Sequence, residues 1–277
     1  MKHLYYSFLL AVASFALFAC DGSKEKSGRG DNDTITVQKD SAEHVAVKDD
    51  KPEGAAQLLA AYPDQGMKYE DNKIVFPDGT ALTYDDGKEK DFVEKLDNSD
   101  VEDMFTLQYD TDGEPDYLAD AGRSRCDELF KTMYGHSAAE VQKHLVDVSW
   151  FGSTVKFTSV NGANVQLKKV VDEIEATHPD MKKYMKCCGT FYWRQVRGAN
   201  RQSAHSYGIA IDINTDYSDY WLWKYPGKEE TAEIKYVNRI PLEIVEVFEK
   251  HGFVWGGRWY HFDTMHFEYR PEINPIK

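Results

Sequence analysis

An alternating apolar and polar pattern in the second half of the chain predicts a strand that lines a site. Residues 209–213 read Ile-Ala-Ile-Asp-Ile, so the three isoleucines share one face and Asp212 lies on the other. Gly208 precedes this run and allows a tight turn, which lets His205 fold back towards Asp212. The pattern therefore predicts one buried face and one face that presents a carboxylate near an imidazole.

Periodic apolar positions predict further elements along the chain. In the first half these are a helix over 55–62, a hairpin or small sheet over 67–84 with its turn at 77–79, and a helix that starts at the Ser137 capping box and carries Val141, Leu145 and Val148. In the second half they are a helix around 167–174 that ends before Pro179, a strand over 190–196, a helix after Pro241, and strands over 253–255 and 265–269. Helices followed by antiparallel strands, with one late helix, predict an α+β fold with a small antiparallel sheet.

The N-terminus has the pattern of an export signal. One lysine and an apolar run precede Cys20, which predicts a signal peptide over residues 1–19. Residues 17–20 resemble a bacterial lipobox, in which the cysteine is lipidated; the alternative is an ordinary signal peptide with a free Cys20. We therefore expect an exported, membrane-anchored lipoprotein that faces the periplasm or the cell exterior and contacts the membrane by its lipid anchor only.

The rest of the chain divides by composition. Residues 20–54 are polar and nearly free of aromatic side chains, so we expect a lipidated cysteine followed by a disordered tether. Residues 55–121 are expected to form a small N-terminal accessory region, to which we assign no chemistry. The functional domain is expected over residues 122–277.

Charge and cysteine content narrow the class of protein. The formal net charge of −14 argues against a nucleic-acid partner. Export permits a disulfide, and Cys126 with Cys187 or Cys188 is the expected pairing, since adjacent cysteines rarely bond to each other. No CxxC spacing occurs, so a cysteine-rich zinc site is not expected.

A second short motif lies close to the C-terminus and complements the predicted strand. It places His266 three residues after Asp263. Two imidazoles and one carboxylate, from His205, Asp212 and His266, are the ligand set of a catalytic zinc site with a fourth position left for water. Asp263 is then a spare carboxylate beside one ligand, which is where a general base is needed.

Together the two motifs resemble the VanY-like zinc peptidases of the bacterial cell wall. The family pattern SxHxxGxAxD is matched from Ser203 to Asp212, and DxxH is matched by Asp263 and His266. The resemblance, expected from about Arg123 to the C-terminus, implies the α+β fold that these enzymes share with hedgehog: a small antiparallel sheet flanked by helices, which carries zinc, here with a small N-terminal extension. It also implies that this chain acts on peptidoglycan stem peptides, and we expect a monomer.

The resemblance further implies a catalytic arginine before the first motif. The family uses such an arginine to stabilise the developing oxyanion; Arg194 is the first choice, with Arg197 and Arg201 as alternatives. His261 is a further candidate as a transition-state donor. Asp263 is one methylene shorter than the Glu of the carboxypeptidase members, which leaves the bond specificity open.

Three functions remain possible on the sequence. The leading hypothesis is a D-Ala-D-Ala carboxypeptidase. The alternatives are an L-Ala-D-Glu endopeptidase on the same polymer and a catalytically silent wall-binding module. A full set of ligands with an adjacent base argues against the silent module.

Overall fold

The structure is a computed structural model that describes residues 51–277, and these residues belong to one compact unit. The predicted signal peptide, the lipidation site Cys20 and nearly all of the predicted tether lie outside the described residues. Within them, no helix is both long and apolar enough to span a membrane.

The N-terminal part of the described chain contains two short helices around a small sheet. The elements are α1 (Glu53–Ala61), β1 (Lys68–Glu70), β2 (Lys73–Val75), β3 (Ala81–Thr83) and α2 (Phe92–Asp97). β2 pairs antiparallel with both β1 and β3, so the predicted hairpin and the predicted first helix are confirmed. Because α1 begins at Glu53, the last two residues assigned to the tether belong to this helix.

The middle of the chain forms a hairpin covered by helices. The elements are α3 (Asp127–Tyr134), α4 (Ala138–Gln142), β4 (Leu145–Trp150), β5 (Ser153–Thr158) and α5 (Ala163–Thr177). The helix predicted from Ser137 through Val148 is wrong beyond Gln142, because Leu145 and Val148 belong to β4, which pairs antiparallel with β5. The apolar spacing fitted both structures, and the alternation around Val148 and Trp150 indicated the strand.

The C-terminal part carries a second three-stranded antiparallel sheet. The elements are β6 (Ala210–Asp212), α6 (Trp221–Lys224), α7 (Leu242–Lys250), β7 (Phe253–Trp255) and β8 (His266–Tyr269), and the strand order is β6-β8-β7. All three strands, and the helix after Pro241, occur where the sequence predicts them. The mixture of helices and small antiparallel sheets agrees with the predicted α+β class.

The strand predicted over 190–196 is not a regular strand. Only isolated bridges occur near it, Gly189 to Asp212 and Gln195 to Gln202. The backbone N–H groups of this segment instead bind the turn around His205, as when the N–H of Tyr192 donates to the carbonyl of His205 at 3.2 Å. The segment therefore supports that turn and does not extend a sheet.

The predicted disulfide is also wrong. Cys126, Cys187 and Cys188 are all free thiols. Cys126 is buried at the start of α3, and burial raises its thiol pKa to about 11, whereas Cys188 is exposed. One thiol faces the core and the other faces solvent, so the two side chains do not meet.

Residues 51–121 and residues 122–277 share one apolar core. Leu58 of α1 and Ile74 of β2 are fully buried in the same cluster as Val171 of α5 and Phe267 of β8. Tyr62 adds a buried hydrogen bond of 2.6 Å to Glu272. Within residues 51–277 the core thus shows no break at the expected boundary, and independent folding of residues 122–277 stays a prediction.

The shared core can be tested with a large-to-small substitution in α1. Leu58→Ala should lower the free energy of unfolding by about 2–5 kcal/mol, because Leu58 is fully buried and the cavity is not refilled. Urea unfolding followed by tryptophan fluorescence and circular dichroism should show one transition at a lower midpoint. Val165→Ala, on the half-exposed face of α5, is the control and should change little. A separate early transition confined to residues 55–121 would contradict the shared core.

Candidate active site

A tight turn fixes the first predicted ligand. His205 lies in a short 3-10 helix over Ala204–Tyr207, which ends at Gly208 in the left-handed region with φ of +68°. A Cβ atom at position 208 would lie 2.6 Å from Cδ2 of Leu145. Glycine is therefore required both by the backbone conformation and by the close approach of β4, and the turn directs His205 towards the end of β6.

The other two predicted ligands face each other across a strand pair. Asp212 of β6 is the direct partner of His266 of β8 in the antiparallel register. The isoleucines at 209, 211 and 213 are fully buried on the opposite side, as the sequence predicted. Because directly opposed residues project to the same face of a sheet, the register alone brings this carboxylate beside this imidazole.

Three potential ligand atoms converge at this point. His205 Nε2 lies 3.2 Å from His266 Nδ1 and 3.3 Å from Asp212 Oδ1, and His266 Nδ1 lies 2.9 Å from the same oxygen. A tetrahedral zinc site with ligands at about 2.0–2.1 Å separates its ligand atoms by roughly 3.3 Å. The triangle of donor atoms therefore fits zinc in size and in chemical type.

Hydrogen bonds on the far side of each imidazole orient the nitrogen that faces the cluster. His205 Nδ1 lies 2.6 Å from the carbonyl oxygen of Thr190, which can only accept, so Nδ1 carries the hydrogen and Nε2 keeps its lone pair. His266 Nε2 donates to Glu268 Oε1 at 2.8 Å, which leaves Nδ1 for the cluster. Partners of this kind fix the tautomers of metal-binding histidines.

The cluster is built to hold a cation. Burial favours a neutral His266, but its hydrogen bonds to Asp212 and Glu268 outweigh this effect and raise its pKa to about 10. Burial also opposes the charged form of Asp212, yet His205 and His266 hold the pKa of this carboxyl well below its usual range. The surroundings therefore favour a positive charge, either a proton on His266 or a metal ion, among these three atoms that lie 2.9–3.3 Å apart.

Glu268 is a candidate site residue that the sequence reasoning missed. It is buried on β8, two residues after His266, and it contacts Arg125 Nη1 and Arg270 Nη1 at 3.2 Å each. Burial opposes its ionised form, but Arg125 and the hydrogen bond from His266 hold its pKa well below the usual range. The i, i+2 spacing on a strand was an available signal for this residue; nothing in the sequence pointed to Arg125.

Asp263, the predicted base, lines the same cleft as the three ligand residues. Its Oδ1 is buried without a hydrogen-bond partner. Burial, and in smaller part the charge of Asp212, raises the pKa of Asp263 to about 7, while His266 acts in the opposite direction. Its backbone approaches Gly256 so closely that a Cβ there would lie 2.5 Å from the carbonyl oxygen of Asp263. An unpaired carboxylate oxygen beside the cluster is suited to accept a proton.

The three arginine candidates all line the cleft, in different surroundings. Arg194 is exposed and donates only to the carbonyl of Gln195, at 3.3 Å. Arg197 is also exposed, in a turn between the bridged residues Gln195 and Gln202. Arg201 is buried and forms an ion pair of 2.6 Å with Asp97 of α2. The three arginines therefore differ in their contacts. Arg201 is already paired with a carboxylate, whereas the guanidinium groups of Arg194 and Arg197 are available to a substrate.

His261 lies in a buried ionic cluster next to the cleft. Its Nδ1 contacts Asp120 Oδ2 at 2.5 Å, and its backbone N–H donates to the other oxygen of Asp120 at 3.0 Å. His261 is therefore held by Asp120 and not by Asp263. Arg123 bridges Asp120 and Glu230 at 2.6 and 2.9 Å and supplies the positive charge that these carboxylates need. This guanidinium occupies the space between the acids, which argues against a second metal ion there.

Of three tryptophans at the site, two are packed in the interior and one is exposed to solvent. Trp221 and Trp259 are buried, whereas Trp223 is 56% exposed. They line a cleft of about 790 Å³ that also contains the candidate ligand residues. A cleft of this size accommodates a short peptide segment.

Two imidazoles, a carboxylate and an adjacent unpaired carboxylate are the side chains that metal-dependent hydrolases use to hold a metal ion and to move a proton. Residues 197–269 match the family model described as D-alanyl-D-alanine carboxypeptidase. The peptidoglycan L-alanyl-D-glutamate endopeptidase CwlK of Bacillus subtilis (strain 168) is 36% identical over 74 residues, which cover 25% of this chain. The chain spans about two fifths, 41%, of the length of that relative. No solved structure matches this chain.

These matches confirm the predicted resemblance to the VanY-like cell-wall metallopeptidases. The matched region begins at Arg197 and is therefore shorter than the resemblance expected from about Arg123. It includes all three candidate ligands and Asp263. Arg194, Thr190 and Arg125 lie outside it.

Glu268 offers a test of the site that does not depend on activity. Glu268→Gln keeps the shape but lets the side-chain amide donate to His266, which favours the wrong imidazole tautomer. Zinc affinity, measured by titration of the metal-free protein with a competing chelator, should fall about ten- to a hundredfold. Glu249→Gln is the control, since Glu249 is also a buried partner of an arginine but lies away from the cleft. Equal affinities in the two variants would contradict the role of Glu268.

Proposed function

We propose that this chain is a zinc-dependent peptidase that hydrolyses bonds involving D-amino acids in peptidoglycan stem peptides. The observation that carries the proposal is the convergence of His205 Nε2, Asp212 Oδ1 and His266 Nδ1 within 3.3 Å of one another, beside the unpaired Oδ1 of Asp263. The family match supports the substrate polymer.

Zinc would be held by His205, Asp212 and His266, and when bound it polarises a carbonyl group and makes water a better nucleophile at neutral pH. Asp263 then accepts the proton of the attacking water at its free Oδ1. As the C–N bond breaks, Asp263 returns this proton to the leaving amine nitrogen. Glu268 and Thr190 keep both imidazoles in the tautomer that the site requires.

Arg194 is the proposed electrostatic partner of the developing oxyanion. It lines the cleft, and among the described residues no carboxylate lies within ion-pair distance of it. A guanidinium without a permanent acidic partner can stabilise negative charge that appears only during the reaction. Arg197 remains the alternative, since it shares both properties.

The leading candidate reaction is D-Ala-D-Ala carboxypeptidase cleavage, which is how the matching family model is described. L-Ala-D-Glu endopeptidase cleavage is the second candidate, since the similar curated protein is named for that activity and since Asp stands here where the carboxypeptidase members use Glu. Digestion of purified muropeptides, followed by mass spectrometry, separates the two. Loss of one terminal alanine supports the first reaction, and release of a peptide that begins with D-Glu supports the second. If the zinc-loaded protein leaves the substrate intact, the catalytically silent wall-binding module is the function that remains.

We further propose that the enzyme is an exported lipoprotein, anchored through Cys20 and acting as a monomer outside the cytoplasm. The signal-like residues 1–19, the lipobox-like residues 17–20 and the polar run up to about residue 52 support this. An anchor of this kind, followed by a polar tether, lets the enzyme reach the wall polymer from the membrane surface.

Asp263→Asn tests the base directly. The three ligands and the side-chain shape are retained, so zinc should stay bound and the fold should be unchanged. Peptide hydrolysis should fall by about a hundredfold to ten-thousandfold, the usual contribution of a positioned proton acceptor. Rates on muropeptides and zinc content by elemental analysis are measured on the same sample. A variant that loses its zinc would instead identify Asp263 as a ligand.

The pH profile gives an independent check of the same residue. A general base must be ionised, so the wild-type kcat/KM should rise with pH on an acid limb. Burial raises the pKa of Asp263, which moves this limb upward from the usual range of a carboxyl, whereas bound zinc moves it downward. The limb reports Asp263 and the water that zinc would activate as one coupled system, so it should shift in Asp263→Asn. His205→Ala, the control for ligand loss, should remove both zinc and activity. An unchanged limb in Asp263→Asn would exclude this residue as the base.

A further inference from the structure

Tyr220 lies in the cleft as the direct cross-strand partner of Asp263. The two residues form an isolated antiparallel bridge. The hydrogen bonds that flank the bridge, each 2.9 Å long, join the N–H of Trp221 to the carbonyl of Phe262 and the N–H of Thr264 to the carbonyl of Asp219. Tyr220 and Asp263 are therefore a non-hydrogen-bonded pair, in which opposed Cα atoms are only about 4.5 Å apart and both side chains project to one face. Both side chains accordingly line the cleft.

The phenol of Tyr220 is close enough to Asp263 to respond to its charge. Burial raises the pKa of Tyr220 to about 12, and the negative charge of Asp263 is the next largest cause. The phenol therefore stays protonated and uncharged while Asp263 is ionised. Within residues 51–277, no group lies within hydrogen-bond distance of the Tyr220 hydroxyl. Its proton and its lone pairs are thus open to a ligand in the cleft.

Aromatic contacts hold the ring of Tyr220 in place. It meets Trp223 and Trp221 edge to face, with ring centres 5.8 and 6.5 Å apart. Trp221 is buried and in turn meets the ring of His261 at 4.6 Å. Contacts of this geometry fix the orientation of a ring. A hydroxyl group on a ring held in this way is suited to orient a reacting group of the substrate.

The proposed reaction brings one substrate atom to this part of the cleft. Asp263 returns its proton to the leaving nitrogen, so this nitrogen must come within hydrogen-bond distance of the Asp263 carboxyl group. The nitrogen of a scissile peptide bond also carries a hydrogen of its own, which needs an acceptor once water has left the cleft. The other carboxylates of the cleft, Asp212 and Glu268, already contact imidazoles and an arginine. The phenol oxygen of Tyr220 is a free acceptor beside Asp263.

We propose that the hydroxyl oxygen of Tyr220 accepts a hydrogen bond from the N–H of the scissile bond and so turns the nitrogen lone pair towards Asp263. This inference rests on the proposed function and adds a catalytic residue to it. As the C–N bond breaks, its electron pair stays on nitrogen and the proton moves from Asp263 to that nitrogen, while Tyr220 keeps its own proton. Both candidate bonds are secondary amides, so the role is the same for either reaction.

Tyr220→Phe tests the role, because it removes the hydroxyl and keeps the ring. On the muropeptide that the wild type cleaves, kcat should fall about tenfold to a hundredfold, since the nitrogen is less well oriented, and KM should change little. Zinc content and circular dichroism should be unchanged. Tyr217→Phe is the matched control, because Tyr217 is half-buried, packs against Tyr184 at 4.8 Å and lies outside the cleft. Equal kcat values in the two variants would overturn the proposal.

A pair of inhibitors tests the same hydrogen bond without turnover. A phosphonamidate analogue of the stem peptide has an N–H at the position of the scissile nitrogen, and the matching phosphonate ester has an oxygen there; both are made for each candidate bond. In calorimetric titrations of the zinc-loaded wild type, the N–H analogue should bind about three- to tenfold more tightly, the contribution of one neutral hydrogen bond. Tyr220→Phe should lose this preference and Tyr217→Phe should keep it.

The inhibitor titrations separate failure of this inference from failure of the proposed function. A preference for the N–H analogue that depends on Tyr220 supports the inference even if the wild type cleaves no muropeptide, in which case only the proposed function fails. Absence of the preference in the wild type, an equal preference in Tyr220→Phe, or binding of neither analogue overturns the inference. Cleavage of muropeptides by the wild type would then still support the proposed function.

Discussion

The antiparallel register between β6 and β8 is the constraint on which the candidate site depends. It places Asp212 directly opposite His266, and it leaves Ile211 and Phe267 packed in the core on the other side. A slip of one residue would turn the carboxylate into the core and expose an isoleucine, so burial of the apolar face fixes the register. The same force that stabilises the sheet therefore positions two of the three ligand atoms.

The buried charged groups at the site orient the side chains around them more than they stabilise the fold. Glu268 is buried between His266, Arg125 and Arg270, and His261 is held by Asp120 in a second buried cluster. Buried ion pairs contribute little net stability, because removing charges from water opposes their attraction. Their value here is that each buried group has defined partners, which hold the imidazoles in their orientation.

The cleft is assembled from segments that lie far apart in sequence. The matched residues 197–269 carry the ligands and the proposed base, but Arg125 lies before that region and holds Glu268. α2 contributes Asp97 to Arg201, and Phe92 stacks on His261 with ring centres 5.8 Å apart. The N-terminal region therefore forms part of the wall behind the site as well as part of the core.

The sequence by itself determined the local features of the site, because spacing and periodicity act over a few residues. The alternation over residues 209–213, the need for glycine at 208 and the DxxH spacing were sufficient to select His205, Asp212, His266 and Asp263. Only the tertiary structure decided that Glu268 and Arg125 support His266, that residues 145–150 form a strand and that Cys126 stays a thiol. These outcomes depend on which distant segments pack together, and a local pattern carries no information about its long-range partners.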